Sequence, residues 1–252
     1  MSLSRRRLLV LGAVLPFVVR HATAHAAAVD LRGLARAGLE LGPGSVVSSI
    51  FGLPPQVADE VLLRATRDDA LPDNYQPQDL VSVTARGLPA NGAQRLRDLI
   101  VDDTRALFDA AAGDGVDLYV GSGFRSAAYQ AAVFSVQTAR WGDPETANHY
   151  SARPGYSQHQ LGTTLDLTVA FREFRAGPAP DWLRDHAHEF GFVLPYTAAA
   201  TDRTGYVDEP WHARWVGSAL ASQLHAAGYH DWVDVDTDDA IALVRQESGL
   251  DA

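Results

Sequence analysis

The chain has 252 residues, a hydrophobic content of 46% and a formal net charge of −10. These values exclude an intrinsically disordered chain and permit one full-sized domain or two small ones. The acidic balance argues against nucleic acid as a partner, and the absence of cysteine excludes disulfides and thiolate metal ligands.

Residues 1–28 have the composition of an export signal. Three arginines precede an apolar stretch over Leu8–Val19, and small residues surround Ala24 and Ala26. Because the paired arginines are typical of twin-arginine signals, we predict a signal peptide cleaved after Ala24 or Ala26. Cleavage after Ala26 would move the net charge from −10 to −14, since four arginines and no acidic residue are lost. The mature protein is then expected in the periplasm or cell-wall space.

A retained membrane anchor is the alternative interpretation of the same segment. The apolar stretch has twelve residues, whereas a helix needs about 20 to span a bilayer. We therefore expect no stable membrane span after removal of the signal.

The rest of the chain divides into a glycine-rich lead-in segment over 29–54 and one domain over 55–252. Periodicity and capping residues predict six helices in chain order, over 55–67, 91–112, 127–141, 181–190, 213–225 and 239–246. Alternation predicts strands at 116–120, 163–169, 192–195 and 205–207, with an extended segment within 71–83 and a polar loop over 142–156. This irregular mixture predicts an α+β fold with a small, mostly antiparallel sheet flanked by helices.

A histidine and an aspartate mark the first candidate site. His159 and Asp166 are separated by a segment that contains Gly162, and a turn there would bring both side chains together as the strand begins. With one further histidine, these side chains would form a hydrolytic zinc ligand set, which leaves one coordination position for water. Taken alone, the pair also fits a polar strand face beside a structural histidine.

The segment EPWH (209–212) supplies the other two candidates. Glu209 precedes proline, which favours extended backbone, and we predict that His212 begins a helix. His212 would be the third metal ligand, and Glu209 would be the general base for the attacking water. The alternative is a surface carboxylate beside a structural histidine.

Arg125 follows a predicted strand in the glycine-containing turn GSGFRS (121–126). Its guanidinium could stabilise an oxyanion or bind a substrate carboxylate, although a surface arginine would have the same surroundings in sequence. Ser157, Gln130 and Tyr156 are weaker candidates for binding a carboxylate or amide of the substrate in the same cleft.

Four segments, taken together, are similar to one family. ARPGYSQHQLGTTLD (152–166) and GYVDEPWHARWVG (205–217) resemble two signatures of the VanY-like D-alanyl-D-alanine carboxypeptidases. SGFRSAAYQ (122–130) and LPDNYQPQDLVSV (71–83) resemble the arginine segment and the N-terminal segment of that family. The resemblance implies a Hedgehog/DD-peptidase-like α+β domain that binds Zn²⁺ and acts on peptidoglycan stem peptides.

The resemblance also implies roles for single residues. His159, Asp166 and His212 match the zinc ligands. Glu209 matches the catalytic base, and Arg125 matches the arginine that holds the scissile carbonyl or its oxyanion.

Three further positions bear on the substrate. Ser157 matches a substrate-binding serine, while Gln158 stands where many members carry glutamate and Thr164 where many carry alanine. Neither departure falls on a ligand, so the implied mechanism is unchanged and the choice of substrate is left open.

The sequence is therefore interpreted as an exported zinc carboxypeptidase that removes the C-terminal D-alanine from peptidoglycan stem peptides. Two alternatives within the hydrolases are an L,D-carboxypeptidase and an endopeptidase on the same peptides. An alternative from another class is a non-catalytic, zinc-stabilised module that binds the cell wall.

Overall fold

The computed structural model describes residues 60–61, 63–169, 174–226 and 228. The predicted signal peptide, the lead-in segment and the helix predicted over 239–246 lie outside the described residues, as do residues 55–59 and 62 of the helix predicted over 55–67. In that prediction residues 60–61 are helical, whereas 63–67 form no helix. Within the described ranges, no helix combines the length and the apolar character needed to cross a lipid bilayer.

A four-stranded sheet forms the centre of the domain. Its strands lie in the order β3 (Leu118–Ser122), β4 (Thr164–Val169), β6 (His212–Trp215) and β5 (Phe192–Val193). Every pairing in this sheet is antiparallel. The predicted α+β class with a small antiparallel sheet is thus confirmed, and the strand predicted over 116–120 begins two residues later than expected.

The remaining elements surround this sheet. Their bounds are β1 (Leu80–Ser82), β2 (Arg95–Arg97), α1 (Val101–Gly113), α2 (Ala127–Trp141), α3 (Pro144–Ala147), α4 (Ala179–His186), α5 (Thr201–Thr204) and α6 (Ser218–Ala226). Short 3-10 turns lie at Asp98–Ile100, Gln158–Leu161, Phe174–Ala176, Ala187–Phe190 and Ala198–Ala200.

The two faces of the central sheet differ in chemistry. Leu165 and Leu167 of β4 and Trp215 of β6 are buried in the main hydrophobic core. Asp166 and His212 occupy the alternate positions of the same strands and therefore lie on the opposite face. One face of the sheet thus packs on the core, while the other carries the candidate site.

The prediction of one helix over 91–112 is wrong in its first part. The chain forms β2, which pairs antiparallel with β1, and the helix α1 begins only after a 3-10 turn. Leu96 has helical spacing with the apolar residues that follow, but it enters the core from a strand opposite Val81. The prediction failed because the pairing partner of this strand lies outside the helical segment.

The helix predicted over 127–141 is confirmed as α2. The Ser126 hydroxyl accepts a hydrogen bond from the Tyr129 N–H at 3.2 Å, which caps its first turn. Gly142 ends the helix with φ of 87°. The polar loop predicted over 142–156 contains the single turn of helix α3.

The helix predicted over 213–225 is wrong at its start. Residues 212–215 form β6, and the helix α6 begins at Ser218. All four residues of β6 are buried between β4 and β5, so no alternation marks the segment as a strand. The strand predicted at 205–207 is also absent from the described residues there.

A polar contact joins α1 to the central sheet. Asp103 interrupts the apolar face of α1, and its carboxylate accepts a hydrogen bond from the Trp215 indole N–H at 2.8 Å. Burial raises the pKa of Asp103, and the indole hydrogen bond opposes this shift. The aspartate therefore anchors the helix to the strand that begins with His212.

Gly162 makes the turn that separates His159 from β4, as the sequence predicted. It has φ of 70°, a region that L side chains rarely adopt. A Cβ atom at this position would lie 2.9 Å from the Arg97 Cγ and 3.0 Å from the Leu80 Cδ2. Both backbone conformation and close packing therefore favour glycine.

We expect Gly162→Ala to lower the free energy of unfolding by about 3 kcal/mol, because backbone strain adds to the displacement of a packed neighbour. Gly155→Ala is the matched control, since Gly155 has φ of 84° but no atom within 4 Å of the place that an added methyl group would take. The control should lose about 1 kcal/mol from strain alone. Urea denaturation of both variants measures the difference, and equal losses would contradict the packing argument.

Candidate active site

The three predicted metal ligands lie together on the polar face of the central sheet. One ligand atom from each of His159, Asp166 and His212 can be chosen so that all three lie within 4.8 Å of one another. Asp166 and His212 are directly opposite in the register of β4 and β6. His159 joins them from the 3-10 turn before Gly162, so the sheet and one tight turn set the geometry of the cluster.

The orientation of the His159 ring is fixed by the end of β3. Its Nδ1 lies 2.8 Å from the Gly123 carbonyl oxygen, and a carbonyl can only accept, so Nδ1 carries the proton. In the neutral ring, the Nε2 lone pair then faces the Asp166 Oδ2 at 3.2 Å. A lone pair therefore points at a carboxylate, an arrangement that favours a cation between them.

The His212 ring makes two contacts with acceptor atoms. Its Nδ1 lies 3.1 Å from the Asp166 Oδ1, and its Nε2 lies 3.0 Å from the Gln158 Oε1. Burial lowers the pKa of His212 to about 4, so the ring is neutral at pH 7 and has one N–H for two acceptors. With the proton on Nε2, a second lone pair faces the Asp166 carboxylate.

This donor set fits a zinc ion. Two imidazole nitrogens and one carboxylate oxygen are a common ligand set of hydrolytic zinc sites. Each imidazole is also held through its other nitrogen, by the Gly123 carbonyl for His159 and by Gln158 for His212. Such outer contacts are typical of metal-binding histidines, because they fix the tautomer and the ring orientation.

Glu209 lies beside this cluster in the loop before β6. Its backbone N–H donates to the Tyr196 carbonyl at 2.7 Å, and its carboxylate Oε2 lies 3.7 Å from the His212 Nδ1. Burial, and then the nearby Asp166 charge, raise the pKa of Glu209 to about 8. A carboxyl group with a pKa near neutrality is suited to accept and return a proton at pH 7.

Arg125 reaches the cluster from the end of β3. Its Nη2 donates to the Asp166 Oδ2 at 2.6 Å, and its Nε donates to the Ser122 hydroxyl at 2.9 Å. The backbone N–H of Arg125 also donates to the His159 carbonyl at 3.2 Å. Hydrogen bonds of both the side chain and the backbone of Arg125 therefore hold its guanidinium in the cleft.

Two of the three predicted substrate-binding residues lie in the cleft. The Ser157 hydroxyl accepts from the His159 N–H at 3.3 Å, and Gln130 donates from its Nε2 to the Ser151 hydroxyl and the Ala152 carbonyl. Both residues are buried and line the cavity around the cluster.

The prediction for Tyr156 is not supported. Tyr156 is a described residue, but it does not line this cavity. Its N–H donates to the Arg153 carbonyl in a turn, and the Arg153 guanidinium lies 4.1 Å from the centre of its ring. The turn therefore directs this side chain towards Arg153 and not towards the cluster.

The cleft that contains the cluster has a volume of about 670 Å³. A second groove of about 550 Å³ continues from it and shares Gln137, Tyr150, Glu209 and Trp211. The Trp141 ring borders this groove and stacks on Tyr150 with ring centroids 4.0 Å apart. The cleft and the groove therefore form one continuous concave surface beside the cluster.

Two tyrosines of the site were not selected from the sequence. Tyr206 is buried in the cleft lining, and its hydroxyl has no hydrogen-bond partner among the described residues. The Tyr196 ring lies 4.6 Å from the His212 ring and its carbonyl holds Glu209. Tyr206 lies in the segment that also contains Glu209 and His212, which is the signal that could have identified it.

Comparison with known proteins gives a consistent result. The sequence profile of the family described as VanY: D-alanyl-D-alanine carboxypeptidase matches residues 93–218. The YodJ protein of Bacillus subtilis, described as a candidate carboxypeptidase, is 32% identical over 177 residues, which cover 67% of this chain and 64% of YodJ. A D-alanyl-D-alanine carboxypeptidase of Enterococcus faecalis is 32% identical over 130 residues, 48% of each chain. The chain therefore spans less than two thirds of these relatives.

Three solved structures share the fold. VanYB in complex with D-alanine-D-alanine is 27% identical, with a TM-score of 0.59 over 67% of this chain and 93% of that one. The LdcB LD-carboxypeptidase is 29% identical, with a TM-score of 0.60 over 67% and 82%. A mutant of the D,D-pentapeptidase VanY from a VanB-type vancomycin-resistance cassette, in complex with Zn(II), is 25% identical, with a TM-score of 0.60 over 72% and 99%.

We expect His212→Ala to lower the zinc affinity of the protein at least a hundredfold, because one of three ligands is lost. The matched control is His186→Ala, since the His186 side chain is 42% exposed and bonds Glu189 away from the cluster. Metal analysis after dialysis, and competition with a chromophoric chelator, measure the change. Zinc retention by the His212 variant at the level of the control would exclude the ligand set.

Proposed function

The chain belongs to the VanY D-alanyl-D-alanine carboxypeptidase family, and we propose that it is a zinc-dependent carboxypeptidase of peptidoglycan stem peptides. The reaction is the hydrolytic release of the C-terminal D-alanine. The observation that carries this proposal is the convergence of three ligand atoms beside the Glu209 carboxylate, within a cleft. The protein is proposed to act after export, in the periplasm or cell-wall space.

The residues that would hold Zn²⁺ are His159, Asp166 and His212. When bound, zinc polarises a carbonyl group and lowers the pKa of a coordinated water towards about 7. In their metal-binding tautomers, His159 and His212 each turn a lone pair towards the Asp166 carboxylate, which concentrates negative potential at the centre of the cluster. A divalent cation removes this repulsion.

Glu209 is proposed as the group that moves the proton. Its carboxylate accepts a proton from the attacking water and then donates that proton to the nitrogen of the leaving D-alanine. Its backbone is fixed by the hydrogen bond to the Tyr196 carbonyl, and its side chain is shielded from bulk solvent. Both features keep the carboxyl group at one place during the two proton transfers.

Arg125 is proposed to stabilise the oxygen of the scissile carbonyl as negative charge develops on it. The Ser122 hydroxyl and the Asp166 carboxylate occupy two of its five N–H groups. The remaining donors can contact the substrate, and burial makes such a charge-assisted hydrogen bond strong.

The buried end of the cleft supports recognition of the terminal residue. Gln130 uses its amide nitrogen on Ser151 and Ala152, while its Oε1 has no partner among the described residues. In this orientation Gln130 offers an acceptor, which suits a substrate amide N–H. The Ser157 hydroxyl already accepts a hydrogen bond from His159, so its own proton is available to a carboxylate.

The similarity to this family is also compatible with cleavage of a different peptide bond of the stem peptide. The LdcB structure is that of an LD-carboxypeptidase and aligns as well as the VanY structures do. An endopeptidase would use the same proton transfers at an internal bond. A non-catalytic wall-binding module is the weaker alternative, because Glu209 and Arg125 both lie at the cluster and neither is needed to bind zinc.

Glu209→Gln should retain zinc and lower kcat about a thousandfold, because the amide cannot accept the proton of water. Glu189→Gln is the control, since the Glu189 side chain is 52% exposed and lies away from the cleft lining. Zinc content and D-alanine release are measured on the same preparations. Wild-type turnover in the Glu209 variant would exclude Glu209 as the base. Loss of zinc from this variant would contradict the proposal in another way, because it would show that Glu209 is needed to hold the metal.

Defined muropeptides distinguish the three target bonds. We expect release of D-alanine from a pentapeptide that ends in D-Ala-D-Ala, with complete loss of activity after chelation and recovery on zinc addition. Mass spectrometry of the products identifies the bond. Release of D-alanine from the tetrapeptide alone would establish an L,D-carboxypeptidase, internal fragments would establish an endopeptidase, and intact peptides with wild-type zinc content would favour the binding module.

A further inference from the structure

We propose that Gln158 is a positioning residue: it accepts the Nε2 proton of the metal-binding tautomer of His212, and this contact sets how tightly the site binds zinc. This inference rests on the proposed role of His212 as a metal ligand. It assigns a function in metal affinity to a side chain that is not one of the three candidate ligands.

The geometry places Gln158 on the far side of the His212 ring. The Gln158 Oε1 lies 3.0 Å from the His212 Nε2, whereas the His212 Nδ1 faces Asp166 at 3.1 Å and Glu209 at 3.7 Å. Both Gln158 and His212 are almost fully buried, at 1% and 3% exposed. Water is therefore a poor substitute for the contact between them.

The contact decides which nitrogen of His212 is available to a metal. A neutral imidazole carries one N–H, so a proton on Nε2 leaves a lone pair on Nδ1, and the reverse also holds. When Gln158 accepts the Nε2 proton, the Nδ1 lone pair points into the cluster. When the proton sits on Nδ1, it is donated to the Asp166 carboxylate and that nitrogen cannot bind zinc.

A glutamine at this position can serve both tautomers, unlike a carboxylate. The Gln158 Nε2 has no hydrogen-bond partner among the described residues, so no neighbour holds the amide in one orientation. After a half-turn of the amide, that nitrogen would donate to an unprotonated His212 Nε2. An ionised glutamate can only accept, and would support the metal-binding tautomer alone.

With glutamine at position 158, the metal-free site therefore has a second stable arrangement. In it, the His212 Nδ1–H donates to Asp166 and the Nε2 accepts from the Gln158 amide, so both ring nitrogens have a hydrogen-bond partner. This alternative lowers the free-energy gain on zinc binding. We expect zinc affinity to follow the order glutamate, glutamine, methionine at position 158, since methionine has a similar length and no acceptor of comparable strength.

The matched control is in the same 3-10 turn. Gln160 is also buried, at 2% exposed, but its Nε2 donates to the Tyr75 carbonyl at 2.9 Å. Gln160→Met should lower the free energy of unfolding through the lost hydrogen bond and leave zinc affinity unchanged. It thus separates a general effect of disturbing this turn from a specific effect on His212.

The experiment uses the full chain, stripped of metal, and titrates zinc against a chromophoric chelator. Gln158→Met should bind zinc about 10- to 100-fold more weakly than wild type, and Gln158→Glu should bind it about tenfold or more tightly. Equal affinities for Gln158→Met and wild type would overturn the proposal, as would an equal loss in Gln160→Met.

A second measurement does not need a substitution. Long-range ¹⁵N–¹H spectra of the zinc-loaded wild type should show His212 protonated at Nε2, and a proton on Nδ1 would overturn the proposal even if Gln158→Met fails to fold.

The tests also separate this inference from the proposed function. A wild-type protein that binds no zinc fails as a zinc enzyme, whereas tight zinc binding indifferent to position 158 removes only the role of Gln158.

Discussion

The pairing of Asp166 with His212 across two antiparallel strands is the constraint on which the site depends. Residues directly opposite in such a pair have Cβ atoms about 4.5–5.5 Å apart, so the register of β4 and β6 brings the two ligands within reach of one ion. A shift by one residue would turn Asp166 into the core and expose Leu165 or Leu167 instead. The hydrophobic core on one face of the sheet therefore fixes the metal geometry on the other.

Charge at this site is balanced around the Asp166 carboxylate. Burial alone would raise its pKa, but without a metal the charge and the N–H groups of the His159 and His212 rings can stabilise the carboxylate and hold the pKa well below its usual range. Arg125 adds a direct ion pair at 2.6 Å. At Glu209, burial and the Asp166 charge outweigh the opposing charges of Arg125 and Arg175, and its pKa of about 8 leaves it mostly protonated at pH 7 without a metal. A dication at the cluster would favour its carboxylate form, so metal binding prepares the base.

The local sequence was sufficient to predict that His159 and Asp166 lie together, but it was not sufficient to predict the strand that carries His212. His159 and Asp166 are joined by a turn at Gly162 and a regular strand, so their proximity followed from a short segment. His212 was assigned to a helix because the buried segment 212–215 shows no alternation, and its strand character arises only from pairing with β4 and β5. Pairing with β1 likewise overrode the helical spacing of Leu96. The contact of Gln158 with His212 joins two segments far apart in sequence and has no local signal.

The side chains that act at the site are each held by a neighbour from another segment. The Gly123 carbonyl orients His159, Gln158 orients His212, and the Tyr196 carbonyl holds Glu209. Gly123 can serve because it has no side chain, since a Cβ atom there would lie 2.4 Å from the Arg95 carbonyl oxygen. The close approach of β2 to the end of β3 thus determines where the carbonyl that orients a metal ligand can lie. A substitution at Gly123 would therefore alter zinc binding by displacing this carbonyl, although it removes no ligand.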